Sequence, residues 1–336
     1  MSTTVTTGVY FGAGKIYENP AMGSSTTLDN LKASQFDELT LGGMHILDSG
    51  DIAVKTSNGY VTIVSGGSWV SNTANNAFIS NLKNIESSFS KMSIFFSDQG
   101  YNSFEALYSV MYPTGNASNP VIFSGDALYE NFTELFAKLP MLSTINYDYE
   151  GTSWTTNNVS IKAWSSDIQD MLANFGQMLN DIGYGVSYCP PSNEYTFWNN
   201  CYKKSNTVQS KVGSNTPYAA FKVNAFYIQC YGTASVSGWT TKGNYPSDQT
   251  TDFIKAGVKI TNCGGNGGKC PNGVQQFFNN HAKYGINTGW IWNYKALYGC
   301  QGNTTSCNGN AGGNGSQYAQ AIVNGFEAYQ KSLSTS

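Results

Sequence analysis

Charge is scarce in this chain. Asp, Glu, Lys and Arg make up 12% of its 336 residues, the formal net charge is −3, and no basic run exceeds Lys203-Lys204. Nucleic acids and anionic membranes are gripped by cationic surfaces, so neither is expected as a partner. Histidine is scarcer still, at two residues, and CxxC spacing is absent, which argues against a zinc site. No apolar stretch reaches the roughly 18 residues that span a bilayer. A Walker loop, a GxSxG nucleophile elbow and a GxGxxG turn are all missing; after the first strand-like run, "GAGKIYENP" continues as a turn. Metal and nucleotide cofactors are therefore not expected. The opening "MSTTVTTG" lacks the basic and apolar segments of a signal peptide. The expectation is a chain made without a leader, or one that begins at a processed end.

What the chain has in quantity is apolar and aromatic surface: 40% and 14% of residues, with 22 Tyr and seven Trp. Eight short β-rich runs recur, at 7–14, 34–47, 91–98, 143–150, 183–190, 223–232, 256–264 and 287–295. Most are nearly continuous apolar stretches, the pattern of parallel strands buried on both faces. Helical periodicity lies between them. Ile168, Met171, Leu172, Phe175, Leu179 and Ile182 fall at spacings of three and four, with Ser165 or Ser166 to cap the start and Gly183 to end it. Segments 272–285 and 315–333 repeat the pattern. Eight strand–helix units predict a closed (β/α)8 TIM barrel, with a doubly wound open sheet as the alternative. Residues 48–70 alternate around Asn58-Gly59 and predict a β-hairpin inserted after the second strand. No composition shift divides the chain, so 1–336 is read as one barrel domain.

The seven cysteines all fall in the C-terminal half. Cys263/Cys270 and Cys300/Cys307 each bracket a Gly/Asn-rich segment, and the economical reading is two disulfide-clipped loops near the C-terminus. That implies an oxidising setting, extracellular or in the secretory lumen. Cys189 and Cys201 are a third candidate pair, and Cys230 reads as a free core thiol. Five Asn-x-Ser/Thr sequons, at Asn116, Asn131, Asn158, Asn303 and Asn314, are compatible with secretion.

One stretch concentrates the scarce acids. In "STINYDYEGTSW", residues 143–154, Asn146, Asp148 and Glu150 occupy every second position and Gly151 ends the run. Alternation puts the three on one face, which in a barrel is the interior, with Glu150 at the C-terminal lip where barrel enzymes carry their chemistry. Two carboxylates about 6–7 Å apart along a strand resist ionising together, so one can hold a proton and act as a general acid. The competing reading is a buried structural network. His45, in "GGMHIL", is expected near the barrel mouth, contacting substrate, polarising Asp98, or bonded beneath the hairpin.

This strand resembles the DxxDxDxE strand of glycoside hydrolase family 18, the chitinases and related endo-N-acetylglucosaminidases. The last Glu falls on Glu150, the last Asp on Asp148, the middle Asp on Asn146 and the first on Ser143. Gln229-Cys230-Tyr231 is similar to the family's strand-six Tyr run, "GWIWNY" places Trp292 at its strand-eight Trp, and Ser97-Asp98-Gln99-Gly100 partly echoes its SxGG. The resemblance implies catalytic roles for Glu150, Asp148 and Tyr231. It implies substrate contacts at Asn146, Trp292, Gln229, Tyr10, Asp98 and His45, and an oligosaccharide or polysaccharide partner. The implied activity is retaining, substrate-assisted cleavage of β-linked N-acetylglucosamine glycans such as chitin or peptidoglycan. Asn at 146 cannot take a proton from Asp148. A weak or inactive barrel that binds glycan, stores, or forms crystals is the alternative.

Overall fold

The computed structural model describes residues 4–18, 26–115, 120–205, 221–242, 253–260, 270–292 and 314–334. Eight parallel strands close into a barrel in chain order: β1 (Thr6–Gly12), β2 (Glu38–Gly42), β3 (Lys91–Ser97), β4 (Leu142–Asp148), β5 (Gly185–Tyr188), β6 (Val223–Gln229), β7 (Ile254–Lys259) and β8 (Thr288–Trp292), with β8 pairing back onto β1. Each falls within or against one of the predicted runs. The open doubly wound sheet is thereby excluded.

Alternation sorts side chains between two cores. On β4, Ile145 and Tyr147 face outward; Tyr147 stacks on Phe175 of the helix Ser166–Ile182 with ring centroids 5.6 Å apart. That helix starts after Ser165, whose side chain makes no capping hydrogen bond, and stops where Gly183 turns left-handed at φ 118°, the C-terminal signal the sequence carries. The inward set forms a separate cluster of Tyr10, Phe95, Cys189, Ala225, Tyr227 and Trp290, edged by Tyr231 and Trp292. Trp290 fits because β7 offers Gly257 beside it; a Cβ there would sit 2.0 Å from the indole.

The second predicted run divides. Gly43, at φ +75°, turns the chain out of β2, and Met44–Ile46 becomes the first strand of an antiparallel four-stranded sheet with Ile52–Thr56, Gly59–Ser65 and Ser68–Trp69. The predicted hairpin is its middle, with Thr56 paired to Gly59 across the turn. The insertion is thus larger than expected, because a two-stranded ribbon gains little stability alone and recruits flanking strands.

One cysteine expectation changes. Cys189 and Cys201 are free and buried. They lie on opposite sides of the barrel wall, Cys189 in the interior cluster and Cys201 in the outer core, so a bridge between them is excluded by geometry. Cys230 is free and buried, as its sequence setting implies. Of the proposed loop clips, Cys263, Cys300 and Cys307 lie outside the described residues; Cys270 is disulfide-bonded, and no bridge joins two described cysteines. Asn131 is fully buried, donating to Gly50 O at 2.8 Å and accepting from Gly67 N at 2.7 Å, so the folded chain does not offer that sequon for glycosylation. Asn116 and Asn303 are outside the described residues.

Deep at the N-terminal end of the barrel, Lys255 Nζ pairs with Glu38 at 2.6 Å, and Tyr227 OH donates to the other Glu38 oxygen at 2.9 Å. Lys91 reaches Tyr227 OH at 3.3 Å. Desolvation works to raise the Glu38 pKa, but Lys255 and Lys91 outweigh it and hold the carboxyl below its ordinary value. Burial brings Lys91 down to about 8. Glu38→Gln would strand two cations without their anion. It is expected to destabilise the fold by about 3–5 kcal/mol. Chemical denaturation of Glu38→Gln against Glu38→Gln/Lys255→Met checks this, the double variant recovering part of the loss.

Candidate active site

A cavity of about 420 Å³ opens at the C-terminal end of the barrel, lined on its chemical side by Asp148, Glu150, Gln229, Tyr231, Cys189 and Ser97. The strand β4 delivers the acids. Asn146 lies one layer below the cavity, fully buried, with Nδ2 donating to Tyr10 OH at 2.7 Å and Oδ1 unpartnered. Asp148 ends the strand and forms part of the cavity wall. Glu150 sits just past the strand, in a turn, half-buried and on the same wall. Gly151 completes that turn at φ +97°, where a Cβ would lie 2.4 Å from the Trp164 ring, so no other residue fits without displacing the indole.

The hydrogen bonding divides by layer. Gln229 Nε2 donates to Asp148 Oδ1 at 2.8 Å and to Cys189 O at 3.0 Å. Burial pushes the Asp148 carboxyl well above its ordinary pKa, and Glu150 and Asp98 add to the rise, while bonds from Ser97 and Cys189 offset part of it. Burial also raises Glu150; the Gln229 amide works against that rise and Asp98 adds to it. Tyr231 is held far from ionisation by burial, then by Cys189 and the two acids. The site therefore raises the proton affinity of both carboxyls, the direction a general acid needs.

The opposite side is aromatic. Trp292 ends β8 half-exposed, its ring 5.6 Å from Tyr10 and 5.5 Å from Phe95. Tyr10 packs 4.5 Å from Trp290 beneath it. Such flat faces suit the apolar face of a pyranose.

Of the sequence-predicted residues, Glu150, Asp148, Tyr231, Trp292, Gln229, Tyr10 and His45 converge on this cavity, while Asn146 and Asp98 stand behind its wall. His45 belongs to the inserted sheet and bonds Ser103 Oγ at 3.2 Å; its edges meet Tyr60 and Tyr101. Burial, helped by Lys55, lowers its pKa to about 4, so it stays neutral near pH 7. It does not polarise Asp98, whose oxygens accept backbone N–H groups of Glu150 and Thr152. Ser97 and Gln99, from the run that echoes SxGG, also line the cavity, as do Phe95, Cys189, Met44 and Lys259, to which the sequence reading gave no site role. Inward parity along β3, β5 and β7 is the signal that finds Phe95, Ser97, Cys189 and Lys259. Among the described residues no cluster of His, Cys, Asp or Glu could hold a metal, and no helix is long and apolar enough to cross a membrane.

Several solved structures share this architecture. Active domain 2 of a thermostable chitinase from Pyrococcus furiosus, a catalytic-site mutant complexed with chito-oligosaccharides, has a TM-score of 0.56 at 10% identity, covering 97% of each chain. A GH18 chitinase, ChiB of Flavobacterium johnsoniae, gives 0.52 at 10% identity over 97% of this chain and 94% of that one. The spore cortex-lytic enzyme SleL of Bacillus megaterium gives 0.50 at 11% identity over 97% of this chain and 75% of that one. No protein-family model and no curated protein matches the chain. The chain shares with these structures the fold of a closed (β/α)8 barrel.

Proposed function

We propose that this protein is a glycoside hydrolase acting on β-linked N-acetylglucosamine glycans of the chitin or peptidoglycan kind. The observation that carries the reading is the pair Asp148 and Glu150 on one cavity wall, both with raised proton affinity, facing the Trp292 platform. In this reading Glu150 gives its proton to the glycosidic oxygen as the bond to the anomeric carbon breaks. The substrate's own acetamido oxygen takes that carbon, and Asp148 orients and stabilises the acetamido group. Tyr231 hydrogen-bonds the same group, and Trp292 stacks beneath the ring. Water then opens the intermediate, with Glu150 taking back a proton. The chitinase and cortex-lytic neighbours support the substrate class. The spacing of the loop cysteines supports an extracellular or lumenal setting for that activity.

A second reading follows from Asn146. It bonds Tyr10 and cannot share a proton with Asp148, as an acid could. A glycan-binding barrel with little turnover fits that substitution. Fluorophore release from a chitobioside or chitotrioside separates the two: turnover is the expected result, and saturable binding of the same glycans with no release would favour the binding protein.

A further inference from the structure

We propose that Asp98 is the positioning residue of this site, fixing the rim turn that carries Glu150 and supplying the buried negative charge that position 146 lacks. The kinetic consequence rests on the hydrolase reading; the positioning itself does not.

Asp98 follows the last residue of β3, is 6% exposed, and stands behind the cavity wall. Its Oδ1 accepts the Glu150 N–H at 3.0 Å and its Oδ2 accepts the Thr152 N–H at 2.9 Å. The two donors flank Gly151, so one carboxylate clamps both sides of the left-handed turn while the Trp164 ring packs against its middle. An ionised carboxylate is an acceptor at both oxygens and suits two converging N–H groups. Asn would aim an NH2 at one of them, donor against donor. The chain therefore places a charge-assisted clamp where it also places its candidate acid.

The second half of the argument concerns charge. On β4 the inward residue below Asp148 is Asn146, neutral and tied to Tyr10. Glu150 is faced by Asp148 of β4, Asp98 after β3, Cys189 after β5, and Gln229 and Tyr231 of and after β6. His45 of the inserted sheet, Lys259 of β7 and Tyr10 of β1 are the other titratable side chains on the cavity wall. After burial, which raises the Glu150 pKa most, and Gln229, which opposes the rise, Asp98 is the charge that raises it further. It also raises Asp148. The negative charge absent from the strand is thus provided from the neighbouring one, and it keeps the acid protonated to higher pH.

The test is a carbon-detected NMR titration of the Glu150 side-chain carboxyl, assigned with Glu150→Gln, in the substrate-free wild type, Asp98→Asn and Asp98→Glu. Asp98→Asn is expected to move the Glu150 titration to lower pH, to shift the alkaline limb of kcat the same way, and to lower kcat by about 10²-fold through misplacement of the acid. Asp98→Glu keeps the charge but not the reach, so it is expected to lose rate while holding the titration near wild type. A purely structural residue would lose rate in both variants with Glu150 titrating unchanged, and that outcome overturns the charge role. Amide hydrogen exchange on the wild type tests the clamp even if neither variant folds. Glu150 and Thr152 N–H should be protected, and exchange as fast as an open loop overturns it. Absence of turnover in the wild type would end the hydrolase reading, while the titration and exchange results would still decide Asp98.

Discussion

Glu150→Gln is expected to lower kcat on a fluorogenic chitotrioside by about 10²–10⁴-fold, the contribution of a positioned general acid, with glycan affinity nearly unchanged. Gln keeps the size of the side chain and its capacity to accept from the Gln229 amide, but it has no proton to give at any pH. The platform made by Trp292, Tyr10 and Phe95 is untouched by the substitution, so the binding surface survives. The clamp also survives, because Asp98 holds the backbone N–H of residue 150 and not its side chain. Loss of rate with retained binding is therefore specific to proton donation. Isothermal titration of the variant with chito-oligosaccharide, beside its turnover rate, measures both. A variant that turns over as fast as wild type would remove Glu150 from the chemistry. The pH profile adds a check: because burial and Asp98 hold the Glu150 carboxyl above its ordinary pKa, with Gln229 opposing, wild-type activity should persist above the usual carboxylate range before its alkaline limb falls.

The barrel was legible because parallel strands buried on both faces leave continuous apolar runs, and each of the eight runs holds a strand. The division of the second run at Gly43 was not, since "LTLGGMHIL" is apolar on both sides of the break and only the positive φ at Gly43 turns the chain away. The candidate site was legible where motif and strand parity agree, at Asp148 and Glu150 on β4 and Trp292 on β8. Cys189 was drawn toward Cys201 by sequence proximity, although its parity with Ser187 puts it inside the barrel and Cys201 packs outside. Asp98 is put among substrate contacts by the resemblance, through the Ser97-Asp98-Gln99-Gly100 run. What it touches, two backbone N–H groups 52 and 54 residues away, depends on the turn at Gly151, which has no pattern of its own in the sequence.

Asp148→Asn is expected to lower kcat by about 10²–10³-fold, comparable to removing one electrostatic contact to a developing charge, and to make the folded protein more stable at pH 7. The second effect follows from the same burial as the first. Desolvation, then Glu150 and Asp98, raise the Asp148 pKa in the folded state above its unfolded value. A group raised in this way contributes stability that is fully present below the unfolded pKa, about 3.9 for Asp, and lost as pH rises through the folded pKa. At pH 7 the native chain must therefore either hold a proton the unfolded chain has released or bury an unfavourable charge. Asn carries no such cost, and its amide oxygen can still accept from Gln229 Nε2, the bond now made by Asp148 Oδ1. Thermal unfolding at pH 7 should show Asp148→Asn melting above wild type, and the gap should close as pH is lowered through and below about 3.9, where the wild-type carboxyl becomes protonated in both states. A variant that melts at or below wild type at pH 7 would mean that Ser97, Cys189 and Gln229 solvate the carboxylate well enough to cancel its burial. In that case Asp148 would be an ordinary ionised acid and not the strained one on which the acetamido role depends. A melting gain coupled to a rate loss is the signature of a residue kept at a cost to stability for what it does to a bound substrate.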